Sequence, residues 1–379
     1  QLQTKDIDIP LDNGFYRLKI GDLDLRKSGL RLDHVHLVSP YSKMEFAYKQ
    51  PKHQDWFDVK VGNVRLNDVD IPGYFSTKEL RVGGLWINDV LLQNLKNRKI
   101  PVEPHIVPMI YEGLQKAPVR FKIDTASVAN FSVVYEELPV KGDKLGKLGK
   151  LYFTDMNGQF SGLTNIVSYP EQFITLHADG NLMGSGHFTA TWQLPVDSLY
   201  DRFLLDARLD SLDLLSLNEI IKPLAPAEVT SGWAQDVVFH MDASSRKGRI
   251  RLDFPYRKLK VALLKEKDGE TTQKGFLSRL ANLVLRDNNP AHPERKDSKL
   301  RKVDMEIVRD PYHSTFNYLW QMLRPALVES VGVSKKEQDA ALKVAGFFTK
   351  VKRFFGLDKK KDKREEIDTN NKEIEPLKE

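Results

Sequence analysis

Two histidines that lie two residues apart are the first candidates for chemistry in this sequence. His34 and His36 belong to an alternating apolar and polar run, so both side chains face one side of a strand, a geometry that suits a metal ion. Nothing nearby supplies further ligands at a recognisable spacing. The interpretation as a polar strand face is therefore favoured, and the sequence predicts no metal site.

Other catalytic signatures are missing as well. The Gly- and Lys-rich stretch 142–150 lacks the spacing of a phosphate-binding loop, and no Gly-x-Ser-x-Gly occurs. Glu136 and Glu137 are adjacent in sequence, which does not poise them across a cleft. The complete absence of cysteine excludes disulfides, thiolate zinc sites and cysteine nucleophiles. The sequence thus predicts a protein that is not an enzyme and that needs no cofactor.

The elements that carry these residues are short repeats. One pattern of apolar, basic, apolar, Gly, any, apolar, any, apolar begins at Leu18, Val59 and Leu80, and a copy without the glycine begins at Phe121. These starts are separated by 41, 21 and 41 residues, which fits a unit of 20 to 21 residues. Repetition at this period predicts one supersecondary unit that is stacked many times.

Each repeat is predicted to be a strand with a bend at its glycine. Two residues instead of one separate the apolar pairs around that glycine, so a bulge or bend is needed to keep both pairs on one face. Glycine tolerates the backbone angles that such a bend requires. Two of the copies continue with Asn67-Asp68 and Asn88-Asp89, which are typical of turns, and a further alternating run follows.

The shared phase of the repeats predicts one continuous apolar face. Its candidate residues are Ile20, Leu25, Val61, Leu66, Val82 and Ile87. If the sheet stays open, this face forms a long hydrophobic trough that suits an acyl chain, because affinity for apolar ligands comes from buried area. If the sheet closes, the same residues are the dry core of a β-sandwich. The sequence does not separate these two interpretations.

Helical periodicity appears only in a few places. Short or amphipathic helices are predicted near residues 106–114, 211–222, 276–285, 315–331 and 335–356. The apolar side of the last helix includes Phe347, Phe348, Val351, Phe354 and Phe355. This helix is expected either to pack on the end of the sheet or to lie on an anionic membrane. Packing is favoured because Gly346 and Gly356 weaken a free-standing helix.

The predicted fold is mainly β, with an elongated, repetitive, antiparallel sheet that is groove-like or taco-like, a few short helices and a helical C-terminal end. The predicted segments are a repetitive β segment at 1–118, a second β segment at 119–265, a mixed segment at 266–356 and a disordered charged tail at 357–379. With 58 basic and 52 acidic residues, the net charge of +6 does not indicate a nucleic-acid binder. No apolar run reaches the ~20 residues that cross a bilayer.

Several stretches of the second half carry a resemblance to a known family. They are Asp213-Leu214-Leu215 leading through Pro223 to Ser231-Gly232-Trp233, the run from Phe254 to Val261, and Leu280 to Leu285 followed by Asn288-Asn289-Pro290. Together with the repeats, they resemble the AsmA-like family of Gram-negative envelope proteins. The resemblance covers most of residues 15–330.

The resemblance implies a periplasmic β-groove with no catalytic residues. In that family the groove is held to the inner membrane by an N-terminal anchor and is thought to conduct phospholipid toward the outer membrane or to support outer-membrane biogenesis. The anchor is not present here, and we expect that the chain was cut after it. The partners implied are phospholipid acyl chains and the surfaces of the inner and outer membranes. The alternative is a structural β-scaffold with a closed dry core and no ligand.

Overall fold

The computed structural model describes residues 1–49, 54–100, 105–139, 148–167, 172–196, 201–225, 227–266, 277–283 and 285–332. Residues 1–332 form one compact unit. The helix predicted at 335–356, with Phe347, Phe348, Val351, Phe354 and Phe355, and the tail predicted at 357–379 both lie outside the described residues. The segment boundaries at 118 and 265 stay predictions.

The described residues form one open sheet of 15 strands, which confirms the mainly β prediction. The strands are β1 Leu2–Leu11, β2 Tyr16–Arg26, β3 Gly29–Val38, β4 Trp56–Val69, β5 Glu79–Asn97, β6 Arg120–Leu138, β7 Gly149–Thr164, β8 Phe173–Leu182, β9 Gly186–Pro195, β10 Arg202–Asp213, β11 Ala227–Ser244, β12 Lys247–Asp253, β13 Tyr256–Glu266, β14 Leu277–Leu283 and β15 Lys302–Val308. The helices are α1 Lys43–Lys49, α2 Ile71–Thr77, α3 Ile110–Gln115, α4 Asn218–Leu224 and α5 Thr315–Val331.

The strands follow one another across the sheet in chain order from β1 to β12, and β15 is paired to β12. Strand β13 pairs with β11 and β14. Neighbouring strands are antiparallel, as predicted, with the exception of β5 and β6, which are parallel over their whole length. A parallel pair needs a long crossover connection, and residues 98–119 supply it.

Two opposite edges of the sheet, made by the strand ends, are useful landmarks. Rim 1 contains Tyr16, Trp56 and Leu95, at the start of β2, the start of β4 and the end of β5. Rim 2 is formed by the other ends of these strands and includes Leu25 and Val69. Because β5 ends at rim 1 and the parallel β6 begins at rim 2, the crossover must pass from one rim to the other.

The structure corrects two predictions about local structure. Asp68 and Asp89 were expected in turns, but they lie inside β4 and β5, which continue through them as single long strands. The apolar residues of 276–285 were expected in a helix, but residues 277–283 form β14, which pairs with β13. The predicted helices at 315–331 and near 106–114 are confirmed as α5 and as the shorter α3.

The core is concentrated in the second half of the sheet. Its largest cluster joins the inner faces of β10, β11 and β12 to α5, with Phe203, Met241, Leu252, Tyr318 and Met322 fully buried. A smaller cluster packs α1 on rim 1, around Phe46 and Trp56. A third joins Tyr111 of α3 to the rim 2 ends of β8 and β9. The sheet is thus packed at β10–β12 and along parts of its rims.

Candidate functional site

Two rows of apolar residues run across the sheet from strand to strand. Row A consists of Leu23, Leu32, Val64, Ile87, Val128, Gly158, Ala178, Ala190, Ala207, Phe239, Leu252 and Val303, each paired with the next. Row B consists of Leu25, Leu30, Leu66, Leu85, Ala126, Phe160, Leu176, Trp192, Leu205, Met241, Ile250 and Met305. In every strand the members of rows A and B are two residues apart, so both rows face the same side.

The residues between these two rows are polar and face the opposite side. They are Asp24, Arg31, Arg65, Trp86, Ser127, Gln159, His177, Thr191, Asp206, His240, Arg251 and Asp304. Trp86 is the one large apolar side chain among them. The sheet therefore has an apolar face and a polar face over its whole width from β2 to β15.

A line of interrupted pairing crosses the first strands beside row A, and we call it the crease. Its members are Asp6, Gly21, His34, Gly62, Asp89 and Asn130, all of which the strand ladders skip. Asp6, His34, Asp89 and Asn130 have left-handed backbones, with φ between 53° and 59°. The glycines that were predicted to mark a bend, Gly21 and Gly62, therefore lie where the strand pairing is interrupted. The left-handed residues, however, are their partners on the neighbouring strands.

The glycines of the crease provide space. A Cβ on Gly62 would lie 2.9 Å from Cβ of Asp89, and a Cβ on Gly21 would lie 3.0 Å from Cβ of His34. Gly21 and Gly62 themselves do not have positive φ. The expectation that glycine is required for its backbone angles is thus wrong, since what it permits is the close approach of a left-handed residue on the next strand.

A similar interruption of the pairing, which we call a kink, lies in the second half of the sheet. It changes which side of the sheet the side chains beyond it face. The β10–β11 ladder skips Asp210 and Asp236, and Asp236 has φ 51°. In a regular strand Leu209 and Leu212 would point to opposite sides. Here, however, a Cβ on Gly186 would lie 3.0 Å from Cδ1 of both leucines. One skipped position is therefore enough to bring side chains from both sides of a kink onto the same face.

Two further apolar rows lie on the rim 1 side of the crease. Row C consists of Ile7, Ile20, Val35, Val61, Val90 and Phe131, and row D consists of Ile9, Leu18, Leu37, Val59, Leu92, Val133 and Phe153. Rows C and D share a face by the same spacing of two. At the kink beside Asp236, side chains before and after a skipped position share one face. This supports the prediction that rows C and D face the same side of the sheet as rows A and B.

The six predicted face residues fall into these rows. Ile20 and Val61 belong to row C, Ile87 to row A, and Leu25 and Leu66 to row B. Val82 lies closer to rim 2, paired with Val69 and Ile123 beyond a second kink at Asp68. That all six face one way stays a prediction, whereas the common face of Leu25, Leu66 and Ile87 follows from regular alternation.

Rows A and B are covered at one end and open at the other. In β10–β12, Leu205, Met241 and Leu252 are at most 6% exposed. In β2–β5, by contrast, the row members are half-buried, and Leu25 is 39% exposed. These half-buried members are Leu23, Leu30, Leu32, Val64, Leu66, Leu85 and Ile87. Within the described part of the chain, no helix covers the apolar face over β2–β5 as α5 covers β10–β12, and we call this face the open trough below.

Helix α5 accounts for the covered end. Tyr318, Met322 and Ala326 follow one another at steps of four residues, are fully buried and face the sheet. The ring of Phe316 packs edge-on against Trp192 of row B, with 5.7 Å between the centroids. Phe316 and Trp320 nevertheless remain exposed. The helix therefore fills the apolar face at β10–β12 and presents further apolar side chains at the edge of the filled region.

The crossover between β5 and β6 is held at rim 2 by polar contacts. Val107 donates its N–H to the carbonyl of Pro311, and Arg309 donates to the carbonyl of Val107 at 2.7 Å. The N–H of Glu112 is donated to Asp201 at 3.3 Å, and burial raises the pKa of that carboxyl to about 6. Met109 is buried in the main core. We call residues 105–117 the strap, because they tie the crossover to β10 and to the end of β15.

The structure places the two histidines of the pair in different surroundings. Nε2 of His36 lies 3.0 Å from Oδ1 of Asp58, whereas His34 occupies the crease. Within the described ranges, no group of three or more His, Asp and Glu side chains could hold a metal ion. None of the helices in the described part of the chain has the length and apolar character that crossing a bilayer requires.

Sequence reasoning missed three features of the site: the left-handed residues of the crease, the strap and the filling by α5. The first had a local signal, since Asp6, Asp89 and Asn130 are residue types that tolerate left-handed angles. The other two depend on contacts between residues that are far apart in sequence. No protein-family model matches the chain, and no curated protein matches it significantly.

Proposed function

We propose that this protein is a non-enzymatic lipid-handling protein of the Gram-negative envelope, which binds the acyl chains of phospholipids in its open trough. The observation that carries the proposal is the contrast along rows A and B. Row B is buried at β10–β12, at Leu205, Met241 and Ile250, whereas over β2–β5 its members are half-buried or, at Leu25, exposed. Contiguous exposed apolar surface of this kind marks a binding site.

The chemistry of the trough suits an acyl chain. Its side chains are Leu, Ile and Val, and the polar residues of the same strands face away from it. Each methylene group that moves from water into such a surface contributes about 0.8 kcal/mol. A chain of many methylenes can therefore bind without a directional contact, and it can also slide along the rows with little change in energy.

The alternative is a structural scaffold with a closed dry core. That alternative requires the burial seen at β10–β12 to extend over the whole sheet. The half-exposed residues of β2–β5 and the open sheet favour the trough. The resemblance to the AsmA-like family adds a setting, namely the periplasm, inner-membrane anchoring and transfer of phospholipid between the inner and outer membranes in outer-membrane biogenesis.

The test compares two pairs of directly opposed residues on β3 and β4. Leu30 is paired with Leu66 on the apolar face, and Arg31 is paired with Arg65 on the polar face. Full-length wild type, Leu30→Asn/Leu66→Asn and Arg31→Asn/Arg65→Asn are purified from a Gram-negative host, and phospholipid in organic extracts is quantified by mass spectrometry. Circular dichroism checks that each variant is folded.

We expect phospholipid in the wild type, an unchanged amount in the arginine variant and a several-fold loss in the leucine variant. The reason is that asparagine removes apolar contact area only where the acyl chain would lie. Equal lipid content in both variants, or no lipid in wild type purified with and without mild detergent, would count against the trough.

A further inference from the structure

Helix α2, which connects β4 to β5 at rim 2, packs only shallowly against the rest of the protein, with Ile71 and Tyr74 half-buried. It spans Ile71–Thr77, and none of its residues is buried. Asp70 caps it by accepting a hydrogen bond from the N–H of Gly73 at 2.9 Å, and Lys78 ends it with a left-handed backbone. The helix is therefore held by its caps and by shallow packing, and that packing does not explain Phe75.

The most exposed of those residues is aromatic. Phe75 is 69% exposed, and its ring contacts Tyr74 with 5.9 Å between the centroids. The ammonium group of Lys78 lies 6.0 Å from the centroid of the Phe75 ring. An aromatic pair with a cation beside it, on a projecting turn, is the arrangement of side chains that enter the interface of a bilayer.

The turn between β2 and β3 brings a second lysine to the same place. The N–H of Val69, just before α2, donates to the carbonyl of Ser28 at 2.9 Å, so Lys27 lies beside the helix. Other cations of this rim are neutralised, such as Arg26 by Asp24 at 2.7 Å. Among the described residues, Lys27 and Lys78 have no ion-pair partner.

We propose that α2 and the β2–β3 turn dock rim 2 on an anionic lipid bilayer, with Phe75 and Tyr74 at the level of the acyl boundary and Lys27 and Lys78 on headgroup phosphates. Charge complementarity favours a membrane as the occupant, since both lysines are exposed and lack an ion-pair partner among the described residues, whereas the carboxylate of Asp70 is engaged at the helix N-terminus and Asp68 packs against Gly83. The proposal does not depend on lipid binding in the trough.

The experiment measures binding of the full chain to vesicles of phosphatidylglycerol and phosphatidylethanolamine, with phosphatidylcholine vesicles for comparison. The variants are Phe75→Ser and Lys27→Glu/Lys78→Glu. Tyr48→Ser is the aromatic control, because Tyr48 is 52% exposed on α1 at the opposite rim. Lys19→Glu/Lys60→Glu is the charge control, because both lysines are exposed and the change in net charge is the same.

We expect anionic vesicles to bind the wild type and both controls alike. The affinity should fall about tenfold or more in the lysine variant, since each lysine near the surface is worth roughly fivefold. Phe75→Ser should fall by a similar factor, and Phe75→Trp should show a blue shift of tryptophan emission on binding. All variants should keep the circular dichroism and the co-purifying phospholipid of wild type.

Any one of four results would overturn the proposal. Anionic vesicles could bind all five proteins equally, which would place binding elsewhere in the chain. The wild type could fail to bind them, or could bind neutral vesicles as well as anionic ones. Sedimentation velocity could also reveal a dimer that Phe75→Ser abolishes while vesicle binding is unchanged, in which case a second copy covers α2.

Discussion

At the residue scale, the crease depends on pairs of unlike residues on neighbouring strands. In the antiparallel ladders of β1–β5, each left-handed Asp or His lies opposite a glycine, and a Cβ on Gly21, Gly62 or Gly83 would lie 2.8–3.0 Å from Cβ of such a residue. The glycines could be recognised from the sequence as the fixed points of the repeat. The physical reason for the glycines could not be recognised, because it lies in the partner strand, where His34 is 13 residues from Gly21 and Asp89 is 27 residues from Gly62.

Replacement of Gly62 by alanine tests this reading of the crease. The new Cβ would lie 2.9 Å from Cβ of Asp89, so we expect Gly62→Ala to lower the free energy of unfolding by about 1–3 kcal/mol in urea titrations. Gly113→Ala is the control, because a Cβ there meets nothing within 4 Å and alanine favours helix α3.

The double variant Gly62→Ala/Asp89→Gly makes the test specific. Removing the opposing Cβ and placing glycine at φ 59° should restore part of the lost stability. If Gly62→Ala is as stable as Gly113→Ala, or if the second substitution only adds to the loss, close approach is not the role of this glycine.

At the element scale, local pattern and long-range pairing contribute differently. Helix α5 has the predicted bounds because its apolar periodicity extends over 17 residues. Strand β14 was predicted as a helix because Leu277, Leu280 and Leu283 are three residues apart, which is a helical spacing, but its pairing with β13 overrides this local pattern. The parallel pairing of β5 and β6 has no local signal. The crossover that joins these two parallel strands includes the strap, which is tied to Asp201 and Arg309.

The strap gives a prediction about pH. The folded pKa of Asp201 is about 6, above the ordinary value of 3.8, so the folded protein binds this proton more tightly than the unfolded chain. Its contribution to stability is therefore fully present below pH ~4 and is lost as the pH rises through 6. Asparagine keeps an acceptor for the N–H of Glu112 without the charge.

We accordingly expect Asp201→Asn to match the wild type near pH 4 and to exceed it by about 1 kcal/mol at pH 7.5, after the shift is discounted for partial exposure. Urea unfolding at both pH values measures the difference. A variant that is less stable than the wild type at pH 7.5 would show that the ionised carboxylate stabilises the strap, and an equal difference at both pH values would show that the titration of Asp201 does not affect stability.

At the scale of the whole unit formed by residues 1–332, the sheet is one apolar surface with two environments. Rows A and B run from β2 to β15 without a break, and only the second half is filled by α5. The sequence predicted the repeat, the mainly β class and the apolar positions, since these follow from alternation within each strand. It did not separate an open trough from a closed core, because that depends on which distant element covers which strand.

The most direct test of the trough places a photo-crosslinking amino acid at neighbouring positions of β4. Leu66 faces the trough, whereas Arg65 belongs to the polar row on the other face. The full chain, with benzoylphenylalanine at one position or the other, is irradiated with a labelled phospholipid, and adducts are quantified by mass spectrometry. We predict strong crosslinking from position 66 and background levels from position 65. Equal crosslinking from the two positions, or none from position 66 in a folded protein, would contradict the claim that the trough holds an acyl chain.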